Sequence, residues 1–130
     1  MKEKKTIEEW KKVLPLETFH VLWEKGTEPP FTGKYVDVTK NGVYICAGCK
    51  QKLFDSSSKF HSGSGWPSFT QPVDSDAIET KIDLSHGMKR TEVLCASCGG
   101  HLGHVFNDGP KPLGNRYCIN SSALFFKKKE

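Results

Sequence analysis

Cysteine is the residue type whose spacing carries the most chemistry in this chain: Cys46, Cys49, Cys95, Cys98 and Cys118. The first four form two Cys-x2-Cys pairs, widely separated in sequence. A two-residue spacing lets a tight knuckle aim both sulfurs at one ion about 2.3 Å away, and two knuckles complete a tetrahedron. Four sulfurs with no open position describe a structural site, so one zinc ion is expected to pin two hairpins together. Gly48 and Gly99-Gly100 offer the backbone freedom such knuckles use. The same residues admit other readings. A reducing compartment disfavours two disulfides, and a Cys-x2-Cys redox pair accounts for one knuckle but not for two. A Cys2His2 set of Cys95, Cys98, His101 and His104 would strand Cys46 and Cys49. Iron in place of zinc is chemically possible, and zinc is the expected ion.

Cys118 is left over, in Arg116-Tyr117-Cys118-Ile119-Asn120. On a strand, Arg116, Cys118 and Asn120 share one face and Tyr117 and Ile119 take the other. An inert core cysteine would not be bordered by arginine and asparagine, whereas a nearby cation or hydrogen-bond donor favours a reactive thiolate. Suppose the strands flanking the Asn107–Asn115 loop pair as an antiparallel hairpin with Phe106 facing Arg116. Then His104 lies opposite Cys118 and Leu102 opposite Asn120. Opposed side chains have Cβ atoms about 4.5–5.5 Å apart, close enough to set a nucleophile beside a proton donor or acceptor. A slip of one residue would destroy the pair.

The elements that must hold these groups are mostly strands. Thr6-Ile7-Glu8-Glu9 has the form of a capping box, with Ile7, Trp10, Val13 and Leu14 near helical spacing before Pro15. A second helix, about Leu16 to Lys25, carries Phe19, Leu22 and Trp23 and stops at Gly26. Tyr35 to Val38 and Val43 to Cys46 flank Thr39-Lys40-Asn41-Gly42, a hairpin signal. Ile78, Ile82 and Leu84 mark an alternating strand, followed by Lys89 to Cys95, Leu102 to Phe106 and Arg116 to Ser122. Gly63, Gly65 and Pro67 leave the segment around Trp66 irregular.

The chain has 130 residues and reads as a single domain over 1–130, with frayed basic tails at 1–5 and 127–130. Its formal net charge of +4 resides in those tails, where Lys2, Lys4, Lys5, Lys127, Lys128 and Lys129 outnumber Glu3 and Glu130. The body is balanced, which argues against nucleic acid as a partner. No apolar run approaches the ~20 residues of a membrane span, and the charged N-terminus lacks the layout of a secretory signal. The expectation is a soluble cytoplasmic protein.

Three runs together carry a family resemblance: Gly65-Trp66-Pro67-Ser68-Phe69, the stretch from His101 to Pro110, and Arg116-Tyr117-Cys118-Ile119-Asn120-Ser121. They resemble the B-type methionine-R-sulfoxide reductases, over about Trp10 to Phe126, and the two knuckles match the family's zinc-binding form. The resemblance implies a mainly β fold, two antiparallel sheets in a sandwich- or barrel-like core with short N-terminal helices and a structural zinc away from the catalytic face. It makes Cys118 the nucleophile and His101, His104, Asp108 and Asn120 the polar active-site groups. Trp66 packs against the substrate's methyl group. On that reading His104 protonates the departing oxygen, His101 and Asn120 orient the sulfoxide, Asp108 fixes a histidine, and Arg116 favours the thiolate.

The products would be methionine and a Cys118 sulfenic acid, the first rung of the thiol oxidation ladder. The family often carries a resolving cysteine just before Gly-Trp-Pro-Ser-Phe, and here Ser64 stands in that segment. With four thiols committed to metal, an external thiol must reduce the sulfenic acid, thioredoxin being the leading partner. Oxidised proteins or peptides are the expected substrate and a monomer the expected state. The alternative class is a zinc-ribbon-like binding module, which explains the knuckles but not Cys118, His104 and Trp66 together.

Overall fold

The computed structural model describes residues 6–36, 38, 40–84, 87–111 and 113–128. Helix α1 (Ile7–Val13) starts with the expected capping box: Thr6 Oγ1 accepts from the Glu9 N–H at 3.2 Å and Glu9 Oε1 from the Thr6 N–H at 3.0 Å. Such a cap stabilises a helix end by about 1 kcal/mol. The helix buries Trp10 alone among its residues, stacked on Trp23 at 5.6 Å between ring centroids. Two turns are too short to bury a longer stripe, so Ile7 and Val13 remain exposed.

Helix α2 (Leu16–Glu24) buries Phe19, Val21 and Leu22. Its left-handed cap is Lys25 (φ 56°), not the expected Gly26. Gly26 is needed for another reason, since a Cβ there would collide with the His20 ring.

Nine strands follow among the described residues: β1 (Gly42–Cys46), β2 (Lys52–Asp55), β3 (Lys59–Phe60), β4 (Ser68–Phe69), β5 (Ile78–Asp83), β6 (Arg90–Cys95), β7 (His101–Phe106), β8 (Arg116–Ile119) and β9 (Leu124–Lys128). They form two antiparallel sheets, ordered β2-β1-β9 and β3-β4-β8-β7-β6-β5. The mainly β, two-sheet architecture is therefore as expected. Tyr44, Leu53, Phe54, Phe69, Val93, Leu102, Ile119 and Leu124 join one core, with Phe54 stacked on Phe69 at 4.4 Å and Tyr44 edge-on to it at 5.1 Å.

Three strand expectations need correction. Tyr35 and Val36 lie in turns, not in a hairpin with β1, whose neighbours are β2 and β9. Both side chains are nevertheless buried, because Tyr35 Oη accepts the Phe126 N–H of β9 at 3.1 Å. Burial in a turn explains apolar, β-branched composition as well as a strand does. Secondly, Lys127 and Lys128 are not frayed: they pair with Val43 and Gly42 in β9. Lysines on an edge strand discourage further strand pairing. Thirdly, Ile82 and Leu84 face solvent while Asp83 between them is buried. β5 is an edge strand, and its inward position is taken by an ion-paired carboxylate. Residues 1–5, 129 and 130 of the expected tails, and Thr39 of the expected hairpin turn, lie outside the described residues.

Candidate active site and metal centre

The hairpin register is the one the sequence suggested. β7 pairs β8 with Phe106↔Arg116, Val105↔Tyr117, His104↔Cys118 and Gly103↔Ile119, and the Asn120 N–H donates to Leu102 O at 3.0 Å. On the other side of β8, Cys118 pairs with Ser68 of β4. Gly103 permits this close approach, for a Cβ there would lie 2.1 Å from Cys118 O.

A cavity of about 220 Å³ opens over this pair, lined among others by Thr27, Ser64, Trp66, His104, Cys118 and Asn120. The Trp66 indole N–H donates to Glu28 O at 2.9 Å, and the Glu28 N–H donates to Asn120 Oδ1 at 3.0 Å. Asn120 Nδ2 in turn donates to Leu102 O at 3.0 Å. Asn120 thus clamps three segments to the cavity wall. The carboxylate of Glu28 completes the clamp by accepting the Ser122 N–H at 2.9 Å. Glu28 was not legible as part of the site, since its role runs largely through its backbone.

A bulge explains how both histidines reach one face. β6 pairs Glu92 with His104 but Leu94 with His101, so Leu102 is an extra residue in β7. Glu92 and Leu94 are two apart and share a face, and their partners therefore do too. The His101 and His104 rings lie 5.4 Å apart. His101 sits one layer behind the cavity wall. Its Nδ1 is 2.7 Å from Glu92 Oε2, and its buried Nε2 has no hydrogen-bond partner among the described residues. Burial holds the His101 ring below the usual histidine range, against the pull of Glu92. Glu92 is only 1% exposed, and Lys25 Nζ stands 3.3 Å from its other oxygen. A buried carboxylate requires such partners, and Lys25 supplies one from the left-handed cap of α2.

His104 is held by a second carboxylate, Asp83 Oδ2, 2.8 Å from Nε2, with Arg90 3.6 Å from the same oxygen. That leaves Nδ1 as the ring atom available for proton transfer. Asp108 does not take the expected place against a histidine. Its two oxygens accept from Arg116 Nε at 2.8 Å and Nη2 at 3.2 Å, because the turn after β7 folds back on β8. Asp83 and Glu92 fill that place instead, from strands whose register the sequence does not disclose.

Burial pushes the Cys118 thiol above its ordinary range, while the Ser64 hydroxyl, 3.8 Å from Sγ, and the Arg116 charge pull it down. The guanidinium stacks on Phe106 at 4.4 Å and is raised chiefly by its hydrogen bond to Asp108. The expected outcome is an alkylation rate of Cys118 by iodoacetamide that climbs with pH to a midpoint above the ordinary thiol value of about 8.5. Arg116→Gln moves the midpoint higher still, read by peptide mass analysis of the labelled site.

The four knuckle cysteines converge between the two sheets. Their sulfurs all lie within 4.8 Å of one another, with Cys46–Cys98 at 3.8 Å and Cys49–Cys95 at 3.5 Å. A tetrahedral ion about 2.3 Å from each sulfur spaces them about 3.8 Å apart, so the donor set and spacing fit. The two knuckles repeat one pattern: the Lys50 N–H donates to Cys46 O at 3.0 Å and the Gly99 N–H to Cys95 O at 2.7 Å. Both donors have positive φ, 70° and 82°. In the first knuckle this conformation falls to Lys50 rather than Gly48; a Cβ on Gly48 would press on Leu22 and Trp10. Cys46, hydrogen-bonded to its neighbours, lies above the thiol range and Cys49 below it. Four sulfurs sharing protons behave in this way, and a dication can replace those protons.

Residues 14–128 match the SelR domain family model. The chain belongs to the SelR family. Among SelR relatives, "Peptide methionine sulfoxide reductase MsrB" of Leptospira interrogans is 55% identical over 96% of this chain and 95% of its own length. The protein of that name from Methanosarcina barkeri is 56% identical over 97% of this chain and 89% of its own. The one from Pseudomonas syringae pv. syringae is 56% identical over 95% and 94%. A crystal structure of the Mis18 "Yippee-like" domain covers 70% of this SelR chain and 99% of itself with a TM-score of 0.56. At 18% identity that likeness concerns the fold alone. No helix among the described residues is long and apolar enough to cross a membrane.

Proposed function

We propose that this chain reduces the R epimer of methionine sulfoxide in peptides and proteins. The observation that carries this reading is the pairing of Cys118 with His104 across β7 and β8, in a cavity that Trp66 also lines, in a SelR-family chain. A sulfoxide sulfur accepts a nucleophile readily only when its oxygen is protonated or strongly hydrogen-bonded, so thiolate and acid must act together. Cys118 attacks the sulfur and His104 Nδ1 supplies the proton to the oxygen, with Asp83 steadying the ring. Trp66 holds the S-methyl group, so only one epimer presents its oxygen to His104. His101, fixed by Glu92, and Asn120 keep the wall in place behind it. Arg116, tied down by Asp108, favours the anionic sulfur.

The step balances. The oxygen passes from substrate to Cys118, whose sulfur loses two electrons as the sulfoxide sulfur gains two, giving methionine and a sulfenic acid. One external thiol then forms a mixed disulfide with Cys118 and releases water. A second thiol cleaves that disulfide and restores Cys118. Ser64 beside Sγ leaves no resolving thiol at that place. Thioredoxin is the reductant this chemistry suits, in the cytoplasm, acting on a monomer. The four-cysteine cluster would hold zinc, which fixes the two knuckles together and takes no part in the redox step. The test offers each purified epimer of a blocked methionine sulfoxide with dithiothreitol. Turnover of the R form alone is the expected result; turnover of the S form, or of neither, overturns the reading.

A further inference from the structure

Three described non-glycine residues have positive φ: Lys25, Lys50 and Phe31. The first caps α2 and reaches Glu92, and the second closes a metal knuckle. Phe31 (φ 66°) caps no helix and closes no knuckle, and its side chain is 69% exposed. The Thr32 N–H and Oγ1 both donate to Pro29 O, at 3.4 and 2.6 Å. Pro29 to Thr32 is therefore a four-residue turn with proline second and Phe31 third, at the position where a type II turn calls for glycine or asparagine. Either would hold this backbone at less cost. What needs explaining is the ring, an aromatic surface left in water on a strained residue. Strain kept at one such position points to function there.

Its location gives the function. The Phe31 N–H donates to Gly65 O at 2.7 Å, and a Cβ built on Gly65 would lie 2.6 Å from Pro30 Cβ and 3.0 Å from Phe31 Cδ2. Gly65 joins Ser64 to Trp66, both of which line the Cys118 cavity. Pro30 and Phe31 are thus an exposed apolar lip, held beside the cavity wall through Gly65. The cavity has room for a methionine side chain, so the peptide carrying it must cross the mouth. Its neighbouring residues, with Cα atoms about 3.8 Å away on either side, then land on the rim.

We infer that Phe31, seated on Pro30, binds an apolar side chain flanking the oxidised methionine, and so favours substrates with apolar sequence around it. This rests on the reductase reading above. The experiment compares three R-sulfoxide substrates: a blocked amino acid, a pentapeptide with leucine on both sides, and one with serine on both sides. The wild type should favour the leucine peptide in kcat/KM. Phe31→Gly should lower that value about tenfold, to the serine-peptide level. The blocked amino acid should stay within twofold of wild type, and Tm should hold steady or rise by a few degrees as the backbone strain is relieved. Phe31→Asn, which also tolerates this backbone, serves as the second variant. Equal losses on all three substrates, or no preference for leucine in the wild type, would overturn the inference. Failure of the wild type to reduce any of the three substrates would instead remove the reductase reading itself.

Discussion

Cys118→Ser should leave a folded protein with its metal in place and sulfoxide turnover reduced by at least about 10³-fold, since deleting a nucleophile removes the whole covalent route. Cys118 lies among polar groups at a cavity wall, and its sulfur contributes little to packing. The loss should therefore fall on activity alone, with Tm within a degree or two of wild type. Circular dichroism, elemental analysis for zinc and a methionine-release assay together check it. A ribbon-like binding module would show no functional consequence of this change. The two classes of function separate on one substitution, with no need to know the natural reductant.

The second large effect concerns stability. Cys95→Ser should abolish stoichiometric metal binding and lower Tm by about 10–20 °C. Apparent binding energies of structural zinc reach about 10 kcal/mol or more, comparable to the whole net stability of a small domain. Removing one of four sulfurs forfeits several kcal/mol of that, at a few degrees of Tm for each. Cys95 ends β6, Cys46 ends β1, and the second knuckle runs directly into His101. The cluster ties the three-stranded sheet to the six-stranded one, so activity should decay with unfolding rather than with metal loss as such. Scanning calorimetry of variant and wild type, with zinc content measured on the same samples, distinguishes this. Chelated protein that keeps its wild-type Tm would contradict it.

Legibility in the sequence followed the range over which the determining contacts act. The His104–Cys118 pair was readable because one loop sets the register of two adjacent strands, and alternation does the rest. The convergence of the four cysteines was readable because each knuckle is local, even though Lys50 rather than Gly48 supplies its left-handed residue. Asp83 and Glu92 were not readable. Their partnership with the histidines depends on how β5 and β6 align with β7, and on a bulge no local signal announces. Tyr35 and Val36 misled because turn residues can be buried by distant strands. Lys127 and Lys128 misled because charge at a chain end resembles a loose tail until a neighbouring strand claims it. Asp108 was placed in the site by family likeness, and the geometry gives it Arg116.

The extra residue in β7 has an evolutionary consequence. Because Leu102 is the one unmatched position, the spacing between His101 and His104 counts as two along the neighbouring strand although it is three along the chain. Were the bulge ironed out at unchanged length, residues three apart would alternate and one imidazole would turn to the opposite surface of the sheet. Natural variants should accordingly combine a three-residue spacing of the two histidines with this bulge, or a two-residue spacing with a regular strand.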